Sequence, residues 1–229
     1  MALSTGIVGD SSHPDYDNLS TDMGNSTAHP DPQGSPGDGC GQADASTVND
    51  YSELVLTMDV PQNANAFSFD FNFMSIEFPE FVCSPYDDTF LAVLNSQAFQ
   101  GNVSFDSQGS VVSINIGFFD VCSPSLDPGG DCTGEDDLLG TGFESGADSG
   151  GGTGWLTTTA PVVPGEKITL TFMVFDEGDH ILDSTVLIDN FRWELEEIEG
   201  PITVERAPGA DLERPMPTTV KAAGIQASL

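Results

Sequence analysis

The sequence predicts an all-β chain, an antiparallel β-sandwich of jelly-roll type with long acidic loops. Three observations carry this. Apolar and polar residues alternate along several separate stretches. No stretch sustains the period of about 3.6 residues that a helix needs. Clusters of Gly, Pro, Asp and Ser divide the alternating stretches, as turns divide strands.

The elements follow in order. Glu53–Met58 is the first candidate strand. Ala66–Ile76 (AFSFDFNFMSI) places Phe67, Phe69, Phe71 and Phe73 on one face and Ser68, Asp70, Asn72 and Met74 on the other. That pattern predicts a half-buried strand with an aromatic inner face. Thr89–Leu94 and Gly101–Phe105 are shorter candidates. Ser110–Phe118 aligns Val112, Ile114, Ile116 and Phe118 on one side. Leu156–Ala160 is again short. Lys167–Phe175 aligns Ile168, Leu170, Phe172 and Val174, and Ser184–Leu195 is rich in β-branched and aromatic residues. Ile202–Arg206 is a candidate last strand. The predicted organisation is a sandwich over residues 1–200, then a last strand, linker or tail over 201–229. The loops Ser11–Asn49 and Cys122–Gly154 are long and polar, which in a compact domain signals function, bound ions or solvated decoration.

Charge narrows the function. The 229 residues include 5 Lys+Arg and 37 Asp+Glu, a formal net charge of −32. No base precedes Lys167, and residues 1–200 hold 34 acids against two bases. Such a field repels phosphate backbones and anionic lipid, so nucleic acid is excluded as a partner. No apolar run approaches the roughly 20 residues that span a bilayer, so membrane insertion is not expected. The first residues, MALSTGIVGDSSHPD, lack the basic and apolar regions of a signal peptide. The acidity would also keep a chain soluble in high salt.

The cysteines are Cys40, Cys83, Cys122 and Cys132, all in or beside polar loops. They form no CxxC pair and have no neighbouring His, which excludes a cysteine-based zinc site. An even count in such loops predicts disulfides and an oxidising, extracellular compartment. Cys122–Cys132 closes a short loop, leaving Cys40–Cys83 as the remainder. Nucleophilic catalysis finds little support. The histidines are His13, His29 and His180, and no G-x-S-x-G, HExxH or P-loop occurs. No catalytic residue and no enzyme activity is expected.

Calcium is the better use for so many carboxylates, since Ca²⁺ takes oxygen ligands. Two clusters stand out. Glu77, Glu80, Asp87 and Asp88 follow the Phe-rich strand, and Asp176, Asp179 and Asp183 lie between two strong strands. In the second, Gly178 permits a tight turn around an ion. Asp10, Asp15 and Asp22 are weaker candidates in the first loop. Solvated acidic turns are the plainer alternative. Trp155, Tyr86 and Phe143, in loop-rich regions, suggest a rival reading as a carbohydrate-binding module on the same sandwich.

The stretch FSFDFNFMSIEFPEFVCSPYDDTFLAVLNS resembles the signature of choice-of-anchor L domains, bacterial extracellular domains that share a body and differ in their anchoring ends. LSTGIVGDSS near the start and FDEGDHILDSTVLIDNF near residue 190 extend the resemblance over residues 1 to about 195. Ser75-Ile76-Glu77 departs from the family's paired acids, and Asp87 replaces its usual Asn. The resemblance implies a secreted or cell-surface β-sandwich of adhesive, coating or filament-forming type. It supplies no catalytic residues. Partners would be other surface proteins, copies of the chain itself, or glycans.

Overall fold

A computed structural model describes residues 1–8, 19–30, 46–106, 109–115, 118–123, 132–134, 136–143 and 150–206. In chain order the strands are β1 (Ala2–Ser4), β2 (Ser26–Ala28), β3 (Thr47–Asp59), β4 (Ala66–Ser75), β5 (Thr89–Asn95) and β6 (Gln100–Asn102). They continue as β7 (Val112–Ser113), β8 (Val121–Cys122), β9 (Gly151–Gly152), β10 (Leu156–Pro161), β11 (Lys167–Asp176), β12 (Ser184–Glu194) and β13 (Ile202–Glu205). A single 3₁₀ turn, Asp136–Leu138, is the one helical element among the described residues.

Two antiparallel sheets pack face to face. The first runs β1-β12-β4-β10-β13, with β9 joining β8 to the end of β4. The second runs β2-β3-β11-β5-β6, with β7 on β5. The architecture is the β-sandwich that the alternation predicts. The inner face of β4 supplies the centre of the core. Phe67, Phe69, Phe71 and Phe73 are all fully buried, and Phe69 and Phe71 meet Phe172 and Phe90 of the opposite sheet at ring distances of 5.0 Å. Each such ring contributes about 1.5–3 kcal/mol by leaving water.

Two elements differ from the alternation pattern. The polar face of β4 is buried as well: Ser68, Asp70 and Asn72 are all sealed from solvent. A second apolar cluster of Leu19, Met74, Val121, Leu138 and Phe143 lies around the end of the strand. Asp70 is buried because its carboxylate is fully engaged. It accepts from Thr157 Oγ1 at 2.9 Å and Asn190 Nδ2 at 2.8 Å. It also faces Arg192 at 3.4 Å and Arg206 at 3.3 Å. The other difference is the Ser110–Phe118 stretch, where pairing among the described residues is confined to Val112–Ser113 and a Phe105–Val111 bridge. Ile116 lies outside the described residues.

Candidate functional site

One end of the sandwich gathers the acids. There β4 and β11 finish while β5 and β12 begin, as the Ser184–Ser75 and Phe175–Thr89 pairs show. The two carboxylate clusters, far apart in sequence, therefore meet between the sheets. Asp88 comes from the strand start of β5, Asp176 from the end of β11, and Glu77 from the turn after β4. All three are buried, each with no more than 1% of its surface exposed.

Their hydrogen bonds tie the two sheets together. Ser184 Oγ donates to Asp88 Oδ2 at 2.7 Å. The Asp88 N–H donates to Glu77 Oε2 at 3.1 Å. Thr5, just past β1, hydrogen-bonds to Asp176. Asp88 and Asp176 also hydrogen-bond side chain to side chain, which requires a proton between them, and Oδ1 of each is buried with no donor from any other group among the described residues. Lys167 pairs with Asp59, and Arg192 and Arg206 pair with Asp70, so no described Lys or Arg pairs with this group.

Electrostatics follow from that geometry. Burial pushes the Glu77 carboxyl up to about 8, helped by the charges of Asp87, Asp179 and Glu177 and opposed by the Asp88 N–H. Burial pushes Asp176 up to about 9, with Asp50 and Glu77 adding repulsion and Thr5 opposing. Asp88 rises well above the usual carboxylate range, from burial first and then from Asp176 and Glu77. Buried carboxyls this close must share protons or a cation.

The remaining predicted ligands divide. Asp87 is buried beside Glu77. Asp183 is buried and accepts the Thr21 N–H at 2.7 Å. A Cβ at Gly6 would fall on the Asp183 carboxylate, so only glycine lets the N-terminal segment cross there. Asp179 is half-buried and accepts the Ile181 N–H at 2.9 Å. Glu80 is exposed, outside the buried group. Asp10 and Asp15 lie outside the described residues.

Sequence reasoning missed Asp50, and it left Glu177, which lies within the second acidic cluster, out of the predicted ligands. Glu177 is buried, accepting from Thr89 Oγ1 at 3.2 Å and facing His29 Nε2 at 3.3 Å. Asp50 sits in a bulge of β3: Val174 pairs with Ser52 but Asp176 with Asn49, so β3 carries one residue extra. Its φ of 44° marks that irregularity. The bulge turns Asp50 inward, where ligand atoms of Asp22, Asp50 and His180 lie within 4.8 Å of one another and could hold a metal ion.

The aromatic candidates are engaged elsewhere. Phe143 is buried. Trp155 lies under the Arg206 guanidinium, 5.4 Å from ring centroid to Cζ. Tyr86 packs edge-on against Phe81 at 5.6 Å. Cys122 is disulfide-bonded to Cys132, as the loop spacing predicts. Cys83 is also disulfide-bonded; Cys40 lies outside the described residues. No helix among the described residues is long and apolar enough to cross a membrane.

Residues 1–191 match the family model described as Choice-of-anchor L domain. No curated protein and no solved structure matches the chain.

Proposed function

The chain belongs to the choice-of-anchor L domain family, and on that premise we propose that it is a calcium-assisted surface β-sandwich acting in adhesion, surface coating or filament assembly. The family implies a bacterial surface or extracellular location, and it is a surface-anchoring family, not a known enzyme class. The observation that carries the calcium reading is the buried trio Glu77, Asp88 and Asp176, in which Oδ1 of Asp88 and Oδ1 of Asp176 receive no donor hydrogen bond from any other group among the described residues. Asp87, Asp179 and Asp183 stand around it, the last two on the β11–β12 loop. A Ca²⁺ ion would supply the missing counter-charge to oxygen ligands alone. It would clamp the turn after β4, the start of β5 and the β11–β12 loop at one end of the sandwich. Partners at the surface would be other surface proteins, further copies of the chain, or glycans, met by a body that calcium keeps rigid.

Melting the protein in chelator, in millimolar calcium and in NaCl of matched ionic strength tests the reading. Binding to the native state alone stabilises by about 2.7 kcal/mol at a hundred times Kd. A melting temperature that calcium leaves unchanged sinks the proposal. An equal rise in NaCl instead marks the acidity as adaptation to salt.

A further inference from the structure

We propose a second metal site, formed by Asp22, Asp50 and His180, that takes a zinc-class divalent ion. It does not depend on the calcium reading. The site joins three separate parts of the chain: the segment before β2, the bulge of β3, and the β11–β12 loop.

The geometry argues for a shared ion over a hydrogen-bonded cluster. His180 Nδ1 stands 3.5 Å from Asp22 Oδ1 and 3.5 Å from Asp50 Oδ1. Both separations exceed an ordinary N–H···O bond of about 2.7–3.2 Å. Among the described residues Nδ1 is buried without a hydrogen bond, and so is Oδ2 of Asp50, whose side chain is fully buried. Thr21 Oγ1, next to Asp22, is a third buried polar atom without a partner among the described residues. Two ligand atoms on one tetrahedral ion at about 2.0–2.1 Å lie about 3.4 Å apart, close to the two separations that His180 Nδ1 makes. Oxygen ligands on the larger Ca²⁺ can have similar edges, so the nitrogen decides between metals. Calcium takes oxygen only, whereas imidazole suits zinc and its transition-metal neighbours.

The surrounding backbone holds the three ligands in place. The Gly24 N–H donates to Asp22 Oδ1 at 2.7 Å. The Asp50 N–H donates to the Asn25 carbonyl at 2.9 Å, and the Tyr51 N–H to Asn25 Oδ1 at 2.9 Å. Asn49 Nδ2 donates to the Asp179 carbonyl at 2.7 Å, next to His180. Three protein ligands leave a fourth position for water or a partner's side chain, and Asp22 and the His180 ring are partly exposed to accept one.

The test uses the full chain, freed of metal by chelator, titrated with Zn²⁺ and separately with Ca²⁺ by calorimetry. Co²⁺ serves as a spectroscopic probe. His180→Gln and Asp22→Asn alter partly exposed side chains, so both variants should fold, which circular dichroism checks. The expected result is one Zn²⁺ per chain, weakened about tenfold or more in each variant. Co²⁺ should give an intense tetrahedral absorption that His180→Gln removes, while Ca²⁺ binding is unchanged in both variants. Zinc binding that survives His180→Gln, or is lost only with Asp88→Asn, overturns the site. So does the absence of Zn²⁺ binding in the parent chain. Failure of the calcium reading alone would leave this zinc stoichiometry intact.

Discussion

Asp88 and Asp176 stand one step beyond the Phe175–Thr89 pair of the β5–β11 ladder, so two acids face each other on adjacent strands in the interior. Like charges directly opposite in a sheet destabilise it. Ser184 and Thr5 each give one of them a hydrogen bond, but Oδ1 of each receives none from any other group among the described residues. A proton or a cation must relieve the pair, and the two remedies respond in opposite ways to experiment.

Asp88→Asn keeps the shape and removes one charge. In chelator at pH 8 the variant should melt above the parent, because a like-charge repulsion has gone. In millimolar calcium it should melt below the parent, because a ligand has gone. The shifts should be a few degrees, at about 2–4 °C per kcal/mol for a chain of this size. Calorimetry in both buffers reads the crossing directly. Shifts of one sign in both buffers would mean that the pair is structural only.

The pH dependence has a definite sign. Glu77 rises to about 8 and Asp176 to about 9 in the folded chain. Raised acids contribute stability below their unfolded values and lose it as pH climbs through the folded ones. Chelated protein should therefore melt progressively lower from about pH 4 to pH 9. Calcium needs the deprotonated ligands, so its gain in melting temperature should widen over the same range. A gap that narrows with rising pH contradicts a carboxylate site.

The parts of this architecture that were legible in the sequence are those that local alternation dictates. Phe67, Phe69, Phe71 and Phe73 mark one face by period alone, and that face is the core. The opposite face was not legible. Ser68, Asp70 and Asn72 look like a solvent face, and only Arg192 and Arg206, arriving from far along the chain, make Asp70 an interior residue. Asp88 and Asp176 were each legible as candidate ligands. Their meeting depends on a strand register that no local pattern encodes. Asp50 escaped because a bulge changes which side of β3 it faces, and one extra residue leaves no mark on composition.

Asp70 makes a separate prediction. Its side chain is 1% exposed and faces two of the chain's five basic residues. Removing one partner of a buried ion pair costs about 3–5 kcal/mol. Asp70→Ala should lose stability on that scale in urea, equally with and without calcium. A loss smaller than about 1 kcal/mol would show that water reaches the arginines and screens them.

The Cys122–Cys132 bridge closes a loop of sequence separation 10 and anchors β8, which joins β9 at the edge of the first sheet. A bridge over so short a loop contributes about 2–3 kcal/mol through the unfolded state. A Cys122→Ser/Cys132→Ser double variant should unfold at correspondingly lower denaturant. Intact mass with a thiol label should find no free thiol at either cysteine in the parent protein.

The boundary near Gly200 is tested by two truncations. β13 pairs with β10 from Thr159–Ile202 to Leu156–Glu205. Just beyond it, Arg206 donates its N–H to the Trp155 carbonyl at 2.8 Å and places its guanidinium on Asp70. A chain ending at Arg206 keeps all of this, so its melting temperature should stay within about 1–2 °C of the parent. A chain ending at Gly200 loses the strand and leaves Asp70 with Arg192 as its only guanidinium. That should cost about 1–3 kcal/mol for the lost charged partner, plus the ladder. Particle size measured alongside melting separates stability from assembly. A folded chain ending at Arg206 that no longer forms oligomers would assign residues 207–229 to contacts between copies. Equal destabilisation by both truncations would instead move the domain boundary past Arg206 and make those residues part of the sandwich.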